Sequence, residues 1–221
     1  MSIDYNHPAI IKPNLTDIIY RYLDLDKFES LLRDKALFFC RSDKFSDPFE
    51  ASTLKKEADY RIVDSKKMAA FYNKTISEEE AIKRSNDIAE LHKKLRKSFV
   101  VNCWHTNNKG ESDAMWRLYL KTNEGVAIQS TVECLIKSLE DSNEDLYISK
   151  VRYLDYEEDI YYDSTDYPLR SYNLLSPIVH KRNAFSHEAN YVFFNKFRQS
   201  LTMKSFGKTQ KITWAKTSLV T

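Results

Sequence analysis

Two short apolar segments with a helical pattern between them constrain the fold of this chain more than any other feature. Ile18–Leu23 is apolar and aromatic and predicts a first strand, and Ala36–Arg41 predicts a second. From Leu25 to Lys35, leucine and phenylalanine recur at helical spacing behind Asp24, a candidate N-cap. Short strands around a short helix are typical of an α+β fold rather than of a doubly wound parallel sheet.

The later segments continue this alternation of short strands and helices. Phe99–Trp104 is the clearest candidate for a buried strand, because its apolar character is almost uninterrupted. The other predicted strands are Val126–Gln129, Tyr147–Tyr153 and Asn190–Phe194, and the other predicted helices are one capped by Ser112 or Asp113, one over Thr131–Leu139 and one over Leu174–Ala184. The expected fold is α+β, a single mixed domain with a central, mostly antiparallel sheet and a helical insertion.

The insertion is predicted at residues 51–97, where the composition shifts to charged residues and alanine. Ser77–Glu80 has the spacing of a capping box. The apolar face of the helix that follows is expected to consist of Ile82, Ile88, Ala89, Leu91 and Leu95. His92 is expected on the solvated face. The domain around the insertion is predicted to span residues 18–194, between an irregular arm at 1–17 and a polar tail at 195–221; Tyr156–Tyr167 is expected to be a surface loop or short helix.

Composition excludes several classes of protein. With only three glycines, the chain has no glycine-rich phosphate-binding loop. The net charge of +2 comes with no basic block, so charge gives no argument for nucleic-acid binding. No apolar run approaches the roughly 18 residues of a membrane span. The three cysteines are far apart and odd in number, which favours reduced thiols in a cytoplasmic protein over a disulfide framework or a zinc site. No metal site is predicted, and the oligomeric state stays open.

Arg21 and Tyr22 form the first candidate functional group. Successive residues of a strand face opposite sides, so Arg21 is expected to point away from its two neighbouring tyrosines. A buried guanidinium has up to five donors and binds a carboxylate or a phosphate. The alternative is an internal salt bridge to Asp47 or Glu50.

Asp47, Phe49 and Glu50 form the second group. Asp47 is suited to accepting turn amides, and Glu50 to beginning a helix, which gives both a structural interpretation. The alternative interpretation is a ligand pocket, because aromatic walls with a few polar groups are typical of such pockets.

Trp104, Glu111, Trp116 and Tyr119 form the third group. Trp116 and Tyr119 are three residues apart and share a helix face, so they are candidates for stacking on a nucleobase or a nicotinamide ring. The alternative is an apolar core with polar groups at its edge. In the fourth group, Lys181 and its neighbour Arg182 either bind phosphate or form an ordinary ion-paired helix end.

Across residues 18–189 the chain resembles the DUF2971 family of bacterial and phage proteins. The segments that carry the resemblance are Tyr20–Tyr22, Leu31–Leu32, Leu37–Phe39, Phe45–Glu50, Cys103–Trp104, Glu111–Trp116, Tyr119, Gly125–Ile128, Val151–Tyr153 and Lys181–Glu188. The layout is also similar to ADP-ribosyltransferase-like folds. By that similarity, Arg21 and Glu188 are the catalytic candidates: Arg21 would hold the phosphate or ribose of NAD, and Glu188 would stabilise an oxocarbenium-like transition state. Trp116 or Tyr119 would stack on the nicotinamide.

The last family motif departs from its usual pattern. Asn190 stands where a second glutamate belongs, and Val192 where an arginine belongs. Two functions are therefore expected from the resemblance. One is an enzyme that acts on a small nucleotide-type ligand, with NAD as the substrate, by glycosidic cleavage or ADP-ribosyl transfer. The alternative is a non-catalytic binding or regulatory module, associated with phage defence.

Overall fold

The structure, a computed structural model, describes residues 7, 10–121, 124–140, 145–161, 174–196 and 210–213. The strands are β1 (Ile18–Asp24), β2 (Ala36–Arg41), β3 (Phe99–Thr106), β4 (Gly125–Thr131), β5 (Tyr147–Lys150), β6 (Arg152–Leu154), β7 (His180–Arg182), β8 (Asn190–Lys196) and β9 (Gln210–Thr213). The helices are α1 (Leu25–Asp34), α2 (Lys55–Phe71), α3 (Glu78–Leu95), α4 (Asp113–Tyr119), α5 (Val132–Leu139) and α6 (Ser176–Val179). The α+β class is confirmed, and the central sheet is mostly antiparallel.

The chain divides into two compact units. The sheet unit comprises Met1–Arg41, Phe99–Val151 and His187–Thr221, and the helical unit comprises Ser42–Ser98 and Arg152–Ser186. The predicted insertion at 51–97 is helical, since it contains α2 and α3.

The sheet unit is built on a seven-stranded sheet with the order β4-β1-β3-β2-β9, in which β8 also pairs with β3 and with β5. All of these pairs are antiparallel. β8 accompanies β3 along its whole length, from Phe99 opposite Lys196 to His105 opposite Asn190. β3 therefore lies in the middle of the sheet, as its apolar sequence predicts.

The other edge of β3 is shared between two strands. β1 pairs with its end, at Thr106 and His105, and β2 pairs with its beginning, at Val101 and Val100. The three residues between these pairs, Asn102–Trp104, lie opposite no residue of β1 or β2 among the described pairs. The sheet therefore splits at the middle of β3, and the carbonyl groups there need other hydrogen-bond donors.

The core of the sheet unit is apolar. Its fully enclosed side chains come from alternate positions of the strands and from one face of α5, and they include Ile19, Leu37, Phe39, Trp104, Leu135 and Phe193. Leu31 of α1 packs against them from the helix that the sequence predicts. Thr131 caps α5, since its Oγ1 accepts a hydrogen bond from the Cys134 amide at 3.2 Å.

The helical unit has a polar interior between its two long helices. The buried residues of α2 are Glu57, Arg61, Ser65 and Ala69, and those of α3 are Ala81, Ser85 and His92. Ser85 donates to the Ala58 carbonyl at 3.0 Å, and Arg61 Nε donates to Ser85 at 3.4 Å. Beside the helices, β6 and β7 form a short parallel pair, from Arg152 opposite His180 to Leu154 opposite Arg182.

Four expectations about these elements need correction. Asp24 does not cap α1 with its side chain; it accepts hydrogen bonds from the Lys121 amide and the Lys27 ammonium group. The segment Tyr147–Tyr153 is not one strand, because β5 pairs with β8 whereas β6 pairs with β7. Within Leu174–Ala184 only α6 is α-helical, because β7 is drawn into the extended pairing with β6.

The fourth correction concerns the predicted surface loop at Tyr156–Tyr167, of which residues 162–167 lie outside the described part of the chain. Tyr156 and Tyr161 are buried and pack with Leu54 and Leu154. Towards the ends of the chain, residues 10–17 contain no helix or strand. In the tail, which shows no clear sequence pattern, β9 pairs with β2.

Candidate functional site

Arg21 lies at the split in the sheet. Its Nη1 donates to the Cys103 carbonyl at 2.6 Å and to Asn102 Oδ1 at 3.2 Å. Both acceptors belong to the part of β3 that has no neighbour in β1 or β2. The guanidinium thus provides the donor that the open β3 edge needs, and it is fixed by this contact.

The other two nitrogens of Arg21, Nε and Nη2, have no hydrogen-bond partner among the described residues, and the side chain keeps part of its surface exposed. Burial lowers the pKa of Arg21, whereas the thiol of Cys103, the phenol of Tyr119 and the thiol of Cys40 raise it. An arginine side chain nevertheless stays charged in proteins. The Nε–Nη2 edge is therefore a charged, two-donor edge that fits a carboxylate or a phosphate.

Asn102 holds this arrangement together. Its Oδ1 accepts from both Arg21 and the Trp104 indole, the latter at 2.7 Å, and its Nδ2 donates to the Phe38 carbonyl at 2.8 Å. The sequence signal for this role is a single polar residue inside the apolar segment Phe99–Trp104, which is buried and must find partners. The structure places Trp104 in the apolar core at 1% exposure, so its ring has no open face for a ligand.

Tyr22 and Trp116 form an aromatic pair on the opposite face of the sheet from that core. Their ring centroids are 4.9 Å apart at an interplanar angle of 79°, an edge-to-face contact. Tyr22 Oη accepts from the Ser112 amide at 2.9 Å, and Trp116 Nε1 donates to Glu111 Oε2 at 3.0 Å. Both rings are thus oriented by hydrogen bonds. Trp116 is half-buried, whereas Tyr22 is buried.

Tyr119 follows Trp116 by one turn of α4 and is 36% exposed. The phenol of Tyr119 is one of the groups that raise the pKa of Arg21. The structure brings Tyr22, Trp116 and Glu111 together on one face of the sheet unit, with Tyr119 one turn further along α4.

Glu188 is buried, lies two residues before the start of β8, and is held there by hydrogen bonds. Its Oε2 accepts from Asn190 Nδ2 at 2.7 Å, and its backbone carbonyl bonds to His105 Nδ1. Ala189, which lies between Glu188 and Asn190 in the sequence, has a φ of 42°, a left-handed conformation that is strained for alanine. The Thr106 amide donates to the Ala189 carbonyl at 2.9 Å, so two adjacent residues of β3, His105 and Thr106, bond to the carbonyl groups of Glu188 and Ala189. His105 also lies near Tyr22, with ring centroids 6.3 Å apart.

The remaining candidates lie in the helical unit and are paired with one another. Asp47 forms a two-point ion pair with Arg182, at 3.1 Å from Nε and 2.9 Å from Nη2. The Arg182 guanidinium also lies 4.7 Å from the ring centroid of Phe49 and 5.4 Å from that of Phe185. Phe49 is 49% exposed on its side of this stack. Of the two roles expected for Arg182 from the sequence, phosphate binding or an ordinary ion pair, the structure shows an ion pair, to Asp47.

Glu50 and Lys181 form a second ion pair in the helical unit. Oε1 and Nζ are 3.6 Å apart, and the two side chains are only 12% and 8% exposed. Burial raises the pKa of Tyr156, with the charges of Glu50 and Asp47 adding to the effect and those of Arg182 and Lys181 opposing it. Glu50 begins no helix, since α2 starts at Lys55. The four charges of this cluster are mutually compensated, which gives them a structural role.

The described residues contain no group of three or more His, Cys, Asp or Glu side chains placed to hold a metal ion. Among the helices of the same residues, none combines the length and the apolar character needed to cross a bilayer.

Comparison with known proteins gives no relative for this arrangement: no family model, no curated protein and no solved structure matches the chain. The resemblance to the DUF2971 family and to ADP-ribosyltransferase-like folds stays a prediction from the sequence.

Proposed function

We propose that the sheet unit binds a nucleotide-type ligand, with NAD as the first candidate, and cleaves its glycosidic bond to nicotinamide or transfers the ADP-ribosyl group. The observation that carries the proposal is the position of Arg21, fixed at the split of the sheet through Nη1 while its Nε–Nη2 edge keeps two donors without a protein partner among the described residues. A fixed, charged, two-donor edge is what a diphosphate group requires.

The aromatic residues of α4 favour a ligand that also carries a planar ring. The phenol of Tyr119 raises the pKa of Arg21, and Trp116, one turn before Tyr119 on α4, is half-buried. Stacking on such a ring is worth about 1–3 kcal/mol per base in nucleic-acid complexes. In this proposal Trp116, braced by Tyr22 and Glu111, receives the ring, and Arg21 receives the phosphates.

The proposed reaction breaks the bond between the nicotinamide nitrogen and C1′ of the ribose, and nicotinamide leaves with the bonding electron pair. Water or a protein nucleophile attacks C1′ and gives up a proton. The positive charge that develops on the ribose in the transition state is stabilised by a carboxylate, and Glu188 is the candidate. Asn190 would hold that carboxylate in place of the second acid that the family motif contains.

The second candidate function is binding without catalysis, as in a regulatory module of a phage-defence system. It is favoured by the state of Glu188, which is 6% exposed and already accepts a hydrogen bond from Asn190. A carboxylate enclosed in this way needs a rearrangement before it touches a substrate. In either function we place the protein in the cytoplasm, where its three cysteines, none of which forms a disulfide, would stay reduced.

The test combines NAD binding by calorimetry with chromatography of released nicotinamide. Wild-type protein, Arg21→Met and Trp116→Leu are compared with Arg117→Met, a control on the same helix whose side chain is 80% exposed. Binding that Arg21→Met and Trp116→Leu weaken about tenfold or more, and Arg117→Met leaves unchanged, is the expected result.

The two candidate functions separate in the same experiment. Nicotinamide release that disappears in Glu188→Gln supports the enzyme. Binding without release in wild type and in Asn190→Glu supports the binding module. Absence of NAD binding in wild type rejects both for this ligand.

A further inference from the structure

His105, near the end of β3, lies on the same face of the sheet as the aromatic pair formed by Tyr22 and Trp116. It is directly opposite Tyr20 of β1, and Tyr22 follows Tyr20 by two positions, so these side chains share that face. The ring centroids of His105 and Tyr22 are 6.3 Å apart, and those of Tyr22 and Trp116 are 4.9 Å apart. Tyr22 is thus the neighbour of both the imidazole and the indole.

One nitrogen of the His105 ring has a hydrogen-bond partner and the other has none. Nδ1 bonds to the backbone carbonyl of Glu188, and because a carbonyl oxygen can only accept, Nδ1 must carry the proton. In a neutral imidazole the second nitrogen, Nε2, is then an acceptor. Nε2 is buried and has no partner among the described residues, and the side chain as a whole is only 7% exposed.

A buried acceptor without a donor costs about 1–3 kcal/mol, so one that a fold retains calls for an explanation. Its missing partner must present an N–H or O–H group, because two acceptors repel each other. A phosphate or carboxylate oxygen therefore does not fit at Nε2, whereas an amide does. The neighbouring rings favour an amide carried by a planar ring, since Trp116 is half-buried and can stack on the ring while His105 receives its substituent.

We propose that Nε2 of His105 accepts a hydrogen bond from the carboxamide N–H of the nicotinamide ring, and that it thereby selects ligands whose ring carries an amide. This inference rests on the proposed function, in which Trp116 receives the ring and Arg21 the phosphates. The two ends of the ligand then meet groups of opposite character, since Arg21 donates and His105 accepts. Nε2 is covered in this structure, so the side chains around it must move apart before the amide reaches it, as they must for the Glu188 carboxylate.

Calorimetry with two ring compounds of nearly the same shape tests the assignment. Nicotinamide carries the amide, whereas 3-acetylpyridine has a methyl group in place of the NH2 group and cannot donate. We expect wild-type protein to bind nicotinamide about tenfold more tightly than 3-acetylpyridine, because the second compound leaves the buried acceptor unpaired.

Two variants of His105 separate the two ring nitrogens. His105→Asn can still donate to the Glu188 carbonyl but has no acceptor at the position of Nε2, so the preference for nicotinamide should disappear. His105→Gln places an acceptor near that position and should keep part of the preference. Arg117→Met, the exposed control, should leave it unchanged. If His105→Asn does not fold, nitrogen-15 NMR of wild-type protein at pH 8 decides: Nδ1 should carry the proton, and nicotinamide but not 3-acetylpyridine should shift the Nε2 resonance.

The proposal is overturned if wild-type protein binds neither compound, if it binds both alike, or if its preference is unchanged in folded His105→Asn. A proton on Nε2 rather than on Nδ1 in the free protein would also overturn it. Failure of the proposed function gives a different pattern: NAD is neither bound nor cleaved, while the preference for nicotinamide and its dependence on His105 persist. Cleavage of NAD without that preference would leave the proposed function standing and remove His105 from it.

Discussion

The sheet unit has an apolar interior, whereas the helical unit has a polar one between its two long helices. In the sheet unit, Ile19, Phe39 and Leu135 are fully enclosed by other apolar side chains. In the helical unit, the positions that face the interior of α2 and α3 include Glu57, Arg61, Ser85 and His92, all less than 6% exposed. Burial of apolar area stabilises a fold largely independently of charge. A buried polar group contributes only while its partners and its protonation state are correct.

Because their interiors differ, the two units should be destabilised by different kinds of substitution. Loss of volume should damage the sheet unit, because its interior is close-packed. Loss of charge balance should damage the helical unit, where Glu57 accepts a hydrogen bond from the Tyr161 amide at 2.8 Å and Arg61 opposes the effect of burial on the Glu57 pKa. Hydrogen exchange read on peptides of α2 and of α5 reports the two units separately.

The largest expected effect comes from replacing one residue in each interior by methionine. Arg61→Met conserves most of the side-chain volume but removes the charge, and we expect it to cost about 3 kcal/mol in the unfolding free energy of the helical unit, because it leaves the Glu57 carboxylate without a compensating charge. Leu135→Met conserves volume in the apolar core and should cost less than about 1.5 kcal/mol. Hydrogen exchange of the two variants measures both values.

The double variant Glu57→Gln/Arg61→Met is the control for this interpretation. If charge balance matters, the double variant should recover part of the stability that Arg61→Met loses, because no uncompensated carboxylate remains. A cost of Arg61→Met no larger than that of Leu135→Met would show that the two interiors respond alike.

The second prediction concerns acid. Burial lowers the pKa of His92 and of His180 to about 4; Arg61 adds to the shift of His92, while for His180 the Ser176 carbonyl opposes it and Arg152 adds to it. The unfolded chain binds these protons near pH 6.5, whereas the folded unit binds them only near pH 4. The contribution of the two neutral histidines to the unfolding free energy is therefore fully present above pH 6.5, and it is lost as the pH falls towards 4. Proton linkage predicts that each histidine lowers the free energy of unfolding by about 2 kcal/mol between pH 7.5 and pH 5.

Urea unfolding at pH 7.5 and 5.0 tests this prediction. His92→Gln should show a loss of stability between the two pH values about 2 kcal/mol smaller than that of wild type. Glu57, whose pKa burial raises, acts in the opposite direction, because the folded state takes up its proton first. An equal pH dependence in wild type and His92→Gln would contradict the buried, neutral state of His92.

The contrast between the units also explains how far the sequence could be interpreted. Apolar segments such as Phe99–Trp104 predict the strands of the sheet correctly, because a strand buried in an apolar interior has a nearly continuous apolar sequence. The same rule fails for α3. Ile82 and Leu91, expected on the packed face, are 40% and 44% exposed, and His92, expected in solvent, is 4% exposed. A helix pair that packs through Ala81, Ser85 and His92 has no apolar stripe to detect.

For the candidate site, residue types were easier to predict than partners. Arg21 stands out in the sequence because a guanidinium inside an aromatic strand must find acceptors. The acceptors are a backbone carbonyl and Asn102, which are set by the split between β1 and β2. A local sequence pattern cannot predict that split, because it depends on where two distant strands pair with β3. Asp47 and Arg182 are likewise brought together by tertiary structure alone, across 135 positions of sequence.

The third prediction tests how far close packing governs the sheet unit. A Cβ at Gly125 would lie 2.8 Å from the Leu23 carbonyl oxygen and would overlap Leu120 Cδ2. Gly125→Ala should therefore cost about 2 kcal/mol, because the backbone of β1 cannot give way. Gly110→Ala is the matched control. At Gly110 no atom lies within 4 Å of the added Cβ, and only the φ of 109° opposes it, so we expect about 1 kcal/mol. In thermal unfolding, the melting temperature of Gly125→Ala should be lower than that of Gly110→Ala. The reverse order would show that backbone strain at Gly110 costs more than the steric overlap at Gly125.

The smallest expected effect is one in which the two units should not differ. Ser77 Oγ accepts from the Glu80 amide at 3.1 Å at the start of α3, and Thr131 Oγ1 caps α5 in the same way. A cap satisfies one backbone donor locally and does not depend on the polarity of the interior behind it, so Ser77→Ala and Thr131→Ala should each cost about 1 kcal/mol. Ser77→Asp, which keeps an acceptor at the cap, should cost much less. Hydrogen exchange at the first turns of α3 and α5 measures these losses, and a cost confined to one helix would mean that the difference between the interiors extends to the helix ends.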